Sequence, residues 1–187
     1  MKNFLENIYG ILFEPQITIK KIIETKPIWQ AFSIIAILTL TSTIFSDFKG
    51  LLSLYDFLFF LGNLLVVLIL SLIIWFTITG FFEITARVFT DEYRFKPLLC
   101  LISFSLIPWI FTAPLSLLKI NLPLAITATL LSFGVWAWSI VLVFLSVKQV
   151  YNLSIKKTWL FFSVPILGTI VAANWTSQFF AIVAGLI

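Results

Sequence analysis

Five long stretches without a single charged side chain dominate this sequence: Pro27–Ser46, Phe57–Phe82, Pro97–Leu118, Ile120–Val147 and Thr158–Ile187. A helix rising about 1.5 Å per residue needs about 20 apolar residues to cross roughly 30 Å of hydrocarbon. Each run reaches that length, and none holds two full spans with a turn between them. The expected architecture is therefore all-α, a polytopic bundle of five transmembrane helices over about 27–46, 57–82, 97–118, 123–147 and 158–186. The soluble alternative fails on composition. With 61% hydrophobic and 11% charged residues in 187, and a mean hydropathy of +1.12, a water-soluble domain cannot hide its apolar surface.

Orientation follows from the basic residues between the runs. Lys2, Lys20, Lys21 and Lys26 precede the first run; Arg87, Arg94 and Lys96 follow the second; Lys148, Lys156 and Lys157 follow the fourth. Only Lys49 and Lys119 lie in the first and third connections, so one side holds ten cations and the other two. The ten-cation side is expected in the cytoplasm, with the N-terminus there and the C-terminus outside. This places the chain as a multi-pass protein of a cell (inner) membrane, or of a Golgi or ER membrane in a eukaryote. The net charge of +4 then meets the anionic headgroups of the bilayer. It does not mark a nucleic-acid binder, because the aromatics lie inside apolar runs and offer no stacking platform among basic residues.

Residues 1–26 read as a separate cytoplasmic, amphipathic interfacial segment ahead of a membrane domain over 27–187. Phe4, Ile8 and Leu12 recur at four-residue spacing beside Leu5, Tyr9 and Phe13. Pro15 ends that helix, and Ile19, Ile22 and Ile23 form a second apolar face opposite Lys20 and Lys21. Such a segment lies on a membrane without crossing it. Glu6 and Glu14 interrupt what would be the core of a cleavable leader. Trp29 and Trp159 start the first and fifth runs as interfacial aromatics do.

Catalytic chemistry has little to work with. The chain has no histidine and a single cysteine, Cys100, which falls early in an apolar run and behaves as a small hydrophobe. No glycine-rich phosphate loop is present. Every acid sits in a connection or at a span edge, and the adjacent pair Asp91–Glu92 diverges on a helix. No catalytic residue, metal ligand or cofactor is expected, and the chain is not expected to be an enzyme. Glu83 and Arg87, four residues apart, read as a solvated helix-end ion pair.

Other features speak of packing. Asn63 and Asn174 are candidate intramembrane polar groups that hydrogen-bond neighbouring helices. Pro108 and Pro114 in the third run and Pro165 in the fifth each remove a backbone donor and kink or open a helix. The fifth run carries a candidate helix-packing ridge of small residues, Ala173, Ser177, Ala181 and Gly185, beside Gly168, Ala172 and Thr176. Small side chains let helices approach closely, within one chain or between two copies.

Several local patterns also resemble the Yip domain family, named for Ypt-interacting proteins. They are Ile11-Leu12-Phe13-Glu14-Pro15, Ile22-Ile23, Lys26-Pro27, Phe95-Lys96-Pro97-Leu98-Leu99 and Phe104-Ser105-Leu106-Ile107-Pro108. Later come Trp136 and Trp138 before Ser146-Val147-Lys148, and Leu153-Ser154-Ile155-Lys156-Lys157-Thr158. The resemblance spans nearly the whole chain and implies five spans, a cytoplasmic N-terminus and a role exercised through contacts. Eukaryotic relatives bind prenylated Rab-type GTPases. This sequence lacks their long N-terminal region with its Asp-Leu-Tyr-Gly-Pro motif, and Thr90-Asp91-Glu92-Tyr93-Arg94 stands where they carry a glycine-rich stretch. Those departures argue against carrying GTPase binding across, and the short form is similar to the prokaryotic branch. No functional residue is transferred.

The expected function is thus non-enzymatic: organising or recruiting membrane partners, whether other membrane proteins or further copies of itself as a homo-oligomer. Arg87, Arg94 and Lys96 are the candidate partner-docking cations. The alternative is a small-solute transporter or channel subunit.

Overall fold

The protein is seen in a computed structural model that describes residues 2–47, 54–119 and 122–164. Within them every regular element is helical, with no strand. Two short helices, α1 (Lys2–Phe13) and α2 (Pro15–Thr25), precede the long α3 (Ile28–Asp47) and α4 (Leu54–Ala86). Next come α5 (Phe95–Ser105), a 3-10 turn (Ile107–Phe111) and α6 (Thr112–Leu118), which together make one crossing. Helix α7 (Leu122–Val150) follows, and a further helix, α8, is described over 155–164.

Among the described residues four segments are long and apolar enough to cross a membrane: Ile28–Phe45, Phe57–Ala86, Phe95–Leu118 and Pro123–Val150. They coincide with the first four expected spans. The second and fourth continue as helix past their uncharged cores, because a helix does not stop where its apolar stretch stops. Beyond residue 164, the expected fifth span, its small-residue ridge (Gly168, Ala172, Ala173, Ser177, Ala181, Gly185), Pro165 and Asn174 lie outside the described residues.

The outer surface explains the composition. Leu58, Leu65, Ile69 and Ile73 on α4 and Ile126, Leu130 and Phe133 on α7 are all exposed. Rows of large exposed apolar side chains on long helices are tolerable only where hydrocarbon is the solvent. The chain is a multi-pass membrane protein.

Helix α5 is the axis. Every residue from Pro97 to Ser105 is buried, wrapped by α2, α3, α4 and α7. A helix apolar on all sides must be enclosed, since it has no face to offer water. Its polar groups are satisfied within the bundle. Ser103 and Ser105 donate to the carbonyls of Cys100 and Leu101, and the Ser105 and Ser146 hydroxyls lie 3.3 Å apart, joining α5 to α7. From α4 the Trp75 indole donates to the Leu99 carbonyl at 3.0 Å.

The prolines act as their chemistry requires. Pro108 has no N–H, so the α-ladder cannot continue through it. The chain tightens into 3-10 geometry, with Leu106 N–H donating to Ser103 O at 3.1 Å and Trp109 N–H to Leu106 O at 2.9 Å. Pro114 falls in the first turn of α6, where a backbone donor has no intrahelical partner to lose.

Helices α1 and α2 are more deeply integrated than an interfacial anchor needs to be. Ile11, Ile19 and Ile22 are fully buried, and Phe4, Ile8 and Leu12 pack against the core. Asn7 Nδ2 donates to Gln30 Oε1 on α3 at 2.9 Å. Leu5, Tyr9, Phe13 and Ile17 point the other way and are exposed. The apolar pattern of α1 therefore divides into an inward row, Phe4, Ile8 and Leu12, and an outward row, Leu5, Tyr9 and Phe13.

Candidate functional site

Residue spacing brings the basic segments close in sequence to helix ends; the fold brings three of those ends together. At their meeting point lies the carboxylate of Glu83, three residues before the end of α4 and 3% exposed. Its Oε2 accepts from the Tyr151 hydroxyl at 2.6 Å, and its Oε1 accepts from the Arg94 backbone N–H at 3.0 Å. The expected Glu83–Arg87 surface pair is thus corrected. Arg87 lies just past the end of α4, in the turn closed by Arg87 N–H to Ile84 O, and is exposed, whereas Glu83 turns inward. A buried carboxylate must be hydrogen-bonded, and a phenol and a backbone amide supply what Arg87 does not.

Aromatic rings close over this node. Phe161 of α8 is fully buried and packs against Phe82 at 5.8 Å, Phe89 at 5.9 Å and Tyr151 at 6.3 Å between centroids. Burial, the bond to Glu83 and its negative charge push the Tyr151 phenol above its usual value, and Arg94 opposes them only in part. Tyr151 therefore stays protonated and donates.

The clamp on Arg94 fixes one wall of a cleft of about 580 Å³, lined by Ile23, Glu24, Lys26, Tyr93, Arg94, Phe95, Lys96 and Pro97. Three cations face it against one acid. Arg94 gives its Nε to Glu92 at 2.6 Å, and Tyr93 stacks on Phe95 with ring planes 11° apart. Two of the three candidate docking residues, Arg94 and Lys96, come together here; Arg87 does not line the cleft. Asn63 sits half-buried on α4, outside the cleft.

Two participants escape a reading of the sequence alone. Tyr151, just beyond an apolar run, looks like one more interfacial aromatic. Lys26 looks like one more membrane-facing cation, yet its backbone is left-handed at φ 46°, where it caps α2 by donating to Ile22 O at 2.8 Å. Glycine usually holds such a position, because a side chain there costs about 1 kcal/mol or more. The legible signal was a helix ended by Lys-Pro with no glycine.

A second hollow, about 150 Å³ and wholly apolar, lies between α1, α3 and the 3-10 turn, lined in part by Phe4, Leu12, Ile34 and Ile107. The described residues hold no cluster of metal-ligating side chains.

Comparison with known proteins gives a family match. The family described as the Yip1 domain matches residues 9–176, the greater part of the chain and the whole of the site. No curated protein and no solved structure matches.

Proposed function

The chain belongs to the Yip1 domain family, and from that premise we propose that it is a non-enzymatic organiser that recruits membrane partners at the basic end of its bundle. The observation that carries this reading is the convergence of Lys26, Arg94 and Lys96 on one cleft whose wall is pinned by Glu83. Rigid presentation of cations favours docking, because ordering a flexible charged loop on binding has an entropic cost. The excess of Lys and Arg at this end supports a cytoplasmic position, at a cell (inner) membrane or, in a eukaryote, a Golgi or ER membrane. Arg87, exposed in the turn after α4, is a further cation of the same connection.

In-cell crosslinking of a tagged copy, mild-detergent purification and mass spectrometry test it. A stoichiometric partner is expected, and Arg87→Glu with Lys96→Glu should release it while leaving the thermal midpoint unchanged. Recovery of the protein alone, or an unchanged partner in the variant, removes the docking reading.

A second reading, a small-solute conduit, draws on the break in the third crossing at Ile107–Phe111 beside the buried Ser105–Ser146 hydroxyl pair. Interrupted helices build substrate sites in transporters. Solute flux in liposomes, altered by Asn63→Ala, would support it, and silent liposomes across a broad panel would count against it.

A further inference from the structure

We propose that the cleft between the α2–α3 junction and the start of α5 binds the phosphate of an anionic lipid headgroup. This goes beyond the docking reading and stands whether or not a protein partner exists.

Position is the first argument. One wall, Ile23 to Lys26, ends just before Ile28, where the first crossing begins; the other, Tyr93 to Pro97, straddles Phe95, where the third begins. Two crossings that start at the same opening set it at the level where hydrocarbon gives way to headgroups. A soluble anion has no reason to favour that level, and a lipid phosphate resides there.

The lining is the second. Lys26, Arg94 and Lys96 supply cationic donors, and Ile23, Phe95 and Pro97 supply an apolar floor for the carbons next to the phosphate. Glu92 occupies one of the five N–H donors of the Arg94 guanidinium, leaving the remainder for phosphate oxygens. Glu24, the one acid in the lining, offsets one of the three cations and can accept a hydrogen bond from a headgroup hydroxyl. At about 580 Å³ the cleft has the size of a small-molecule site and exceeds what a lone ion needs.

The backbone of Lys26 is the third. A left-handed lysine where glycine would be relaxed, φ 46°, keeps a cation on the rim at the expense of local strain. Strain of this kind marks functional positions when the side chain it holds lines a site.

The test uses the full chain in neutral detergent micelles, with bound lipid counted by native mass spectrometry. Probes are dioctanoyl phosphatidylglycerol, dioctanoyl phosphatidylcholine and inorganic phosphate. One phosphatidylglycerol per chain should bind at least about tenfold more tightly than phosphatidylcholine. Lys26→Gln and Lys96→Gln should each weaken it about fivefold, whereas Lys156→Gln with Lys157→Gln, exposed on α8 away from the cleft, should not. Lys26→Gly separates binding from folding: it relaxes the cap, so the protein should be at least as heat-stable yet bind as weakly as Lys26→Gln. Equal losses in the α8 variant would reduce the effect to diffuse charge and overturn the site. Inorganic phosphate binding as tightly as the lipid would reassign the cleft to a soluble anion. Displacement of the lipid by an equimolar polyglutamate peptide would reassign it to an acidic protein segment.

Discussion

The hydroxyl of Tyr151, one residue beyond α7, donates a 2.6 Å hydrogen bond to Oε2 of Glu83 on α4, whose Oε1 accepts from the backbone of Arg94 at 3.0 Å. One carboxylate thereby ties the ends of two crossings to the connection that opens a third. Removing the phenol in Tyr151→Phe leaves a buried carboxylate oxygen without its donor, at a cost of about 1–3 kcal/mol. Glu83→Gln keeps an acceptor for Arg94 and an amide that can face the phenol, so its loss should be smaller. Thermal unfolding in detergent micelles ranks the two; a larger loss in Glu83→Gln would mean that the carboxylate, rather than the bonding pattern, is what matters.

The same contact has a pH signature. Burial and Glu83 raise the folded-state value of Tyr151 above the roughly 10 of a free tyrosine. A raised value means that the stabilisation is complete below about pH 10 and is lost as pH climbs above it, because the unfolded chain gives up that proton first. Thermal midpoints should fall from about pH 10 upward more steeply in the wild type than in Tyr151→Phe, which has no phenol there to ionise.

Gly10 sets the closeness of α1 and α2. A Cβ built there collides with Oγ1 of Thr18 and lies 3.3 Å from its Cβ, and Thr18 is itself buried. Gly10→Ala should therefore prise the hairpin apart despite the better helix propensity of alanine, destabilising by about 1–3 kcal/mol as overpacking does. Limited proteolysis within residues 1–26 checks it: faster cleavage is expected, and unchanged protection would show that Thr18 rotates away freely.

Trp75 carries the link from α4 to the central helix through its bond to the Leu99 carbonyl. Trp75→Phe loses that bond and part of a buried side chain, about 1–2 kcal/mol for a hydrogen bond of this kind plus the lost packing. A lowered thermal midpoint in micelles, larger than that of Phe76→Leu on the more exposed neighbouring position, is the expected reading.

Much of the architecture is legible in one dimension because a bilayer imposes a one-dimensional rule: length and apolarity of a run decide whether it crosses. Four expected spans match four apolar crossings, and Pro108 breaks the third as a missing N–H must. Family membership was legible through dispersed patterns such as Phe95-Lys96-Pro97, and the match over residues 9–176 shows it. The site was half legible. Arg94 and Lys96 stood out as cations between runs, but nothing in the spacing of Lys26, Glu83 and Tyr151 sets them within reach of the same connection.

Hydropathy and charge along the chain determined which segments enter the membrane, because transfer of each segment into hydrocarbon depends chiefly on its own side chains. Only the tertiary structure decided that Glu83 turns inward to Tyr151 and the Arg94 backbone rather than outward to Arg87, and that Lys26 faces Arg94 across a cleft. Those outcomes depend on which helix ends meet. That is set by packing around α5 between residues far apart in sequence, and a local pattern carries no record of it.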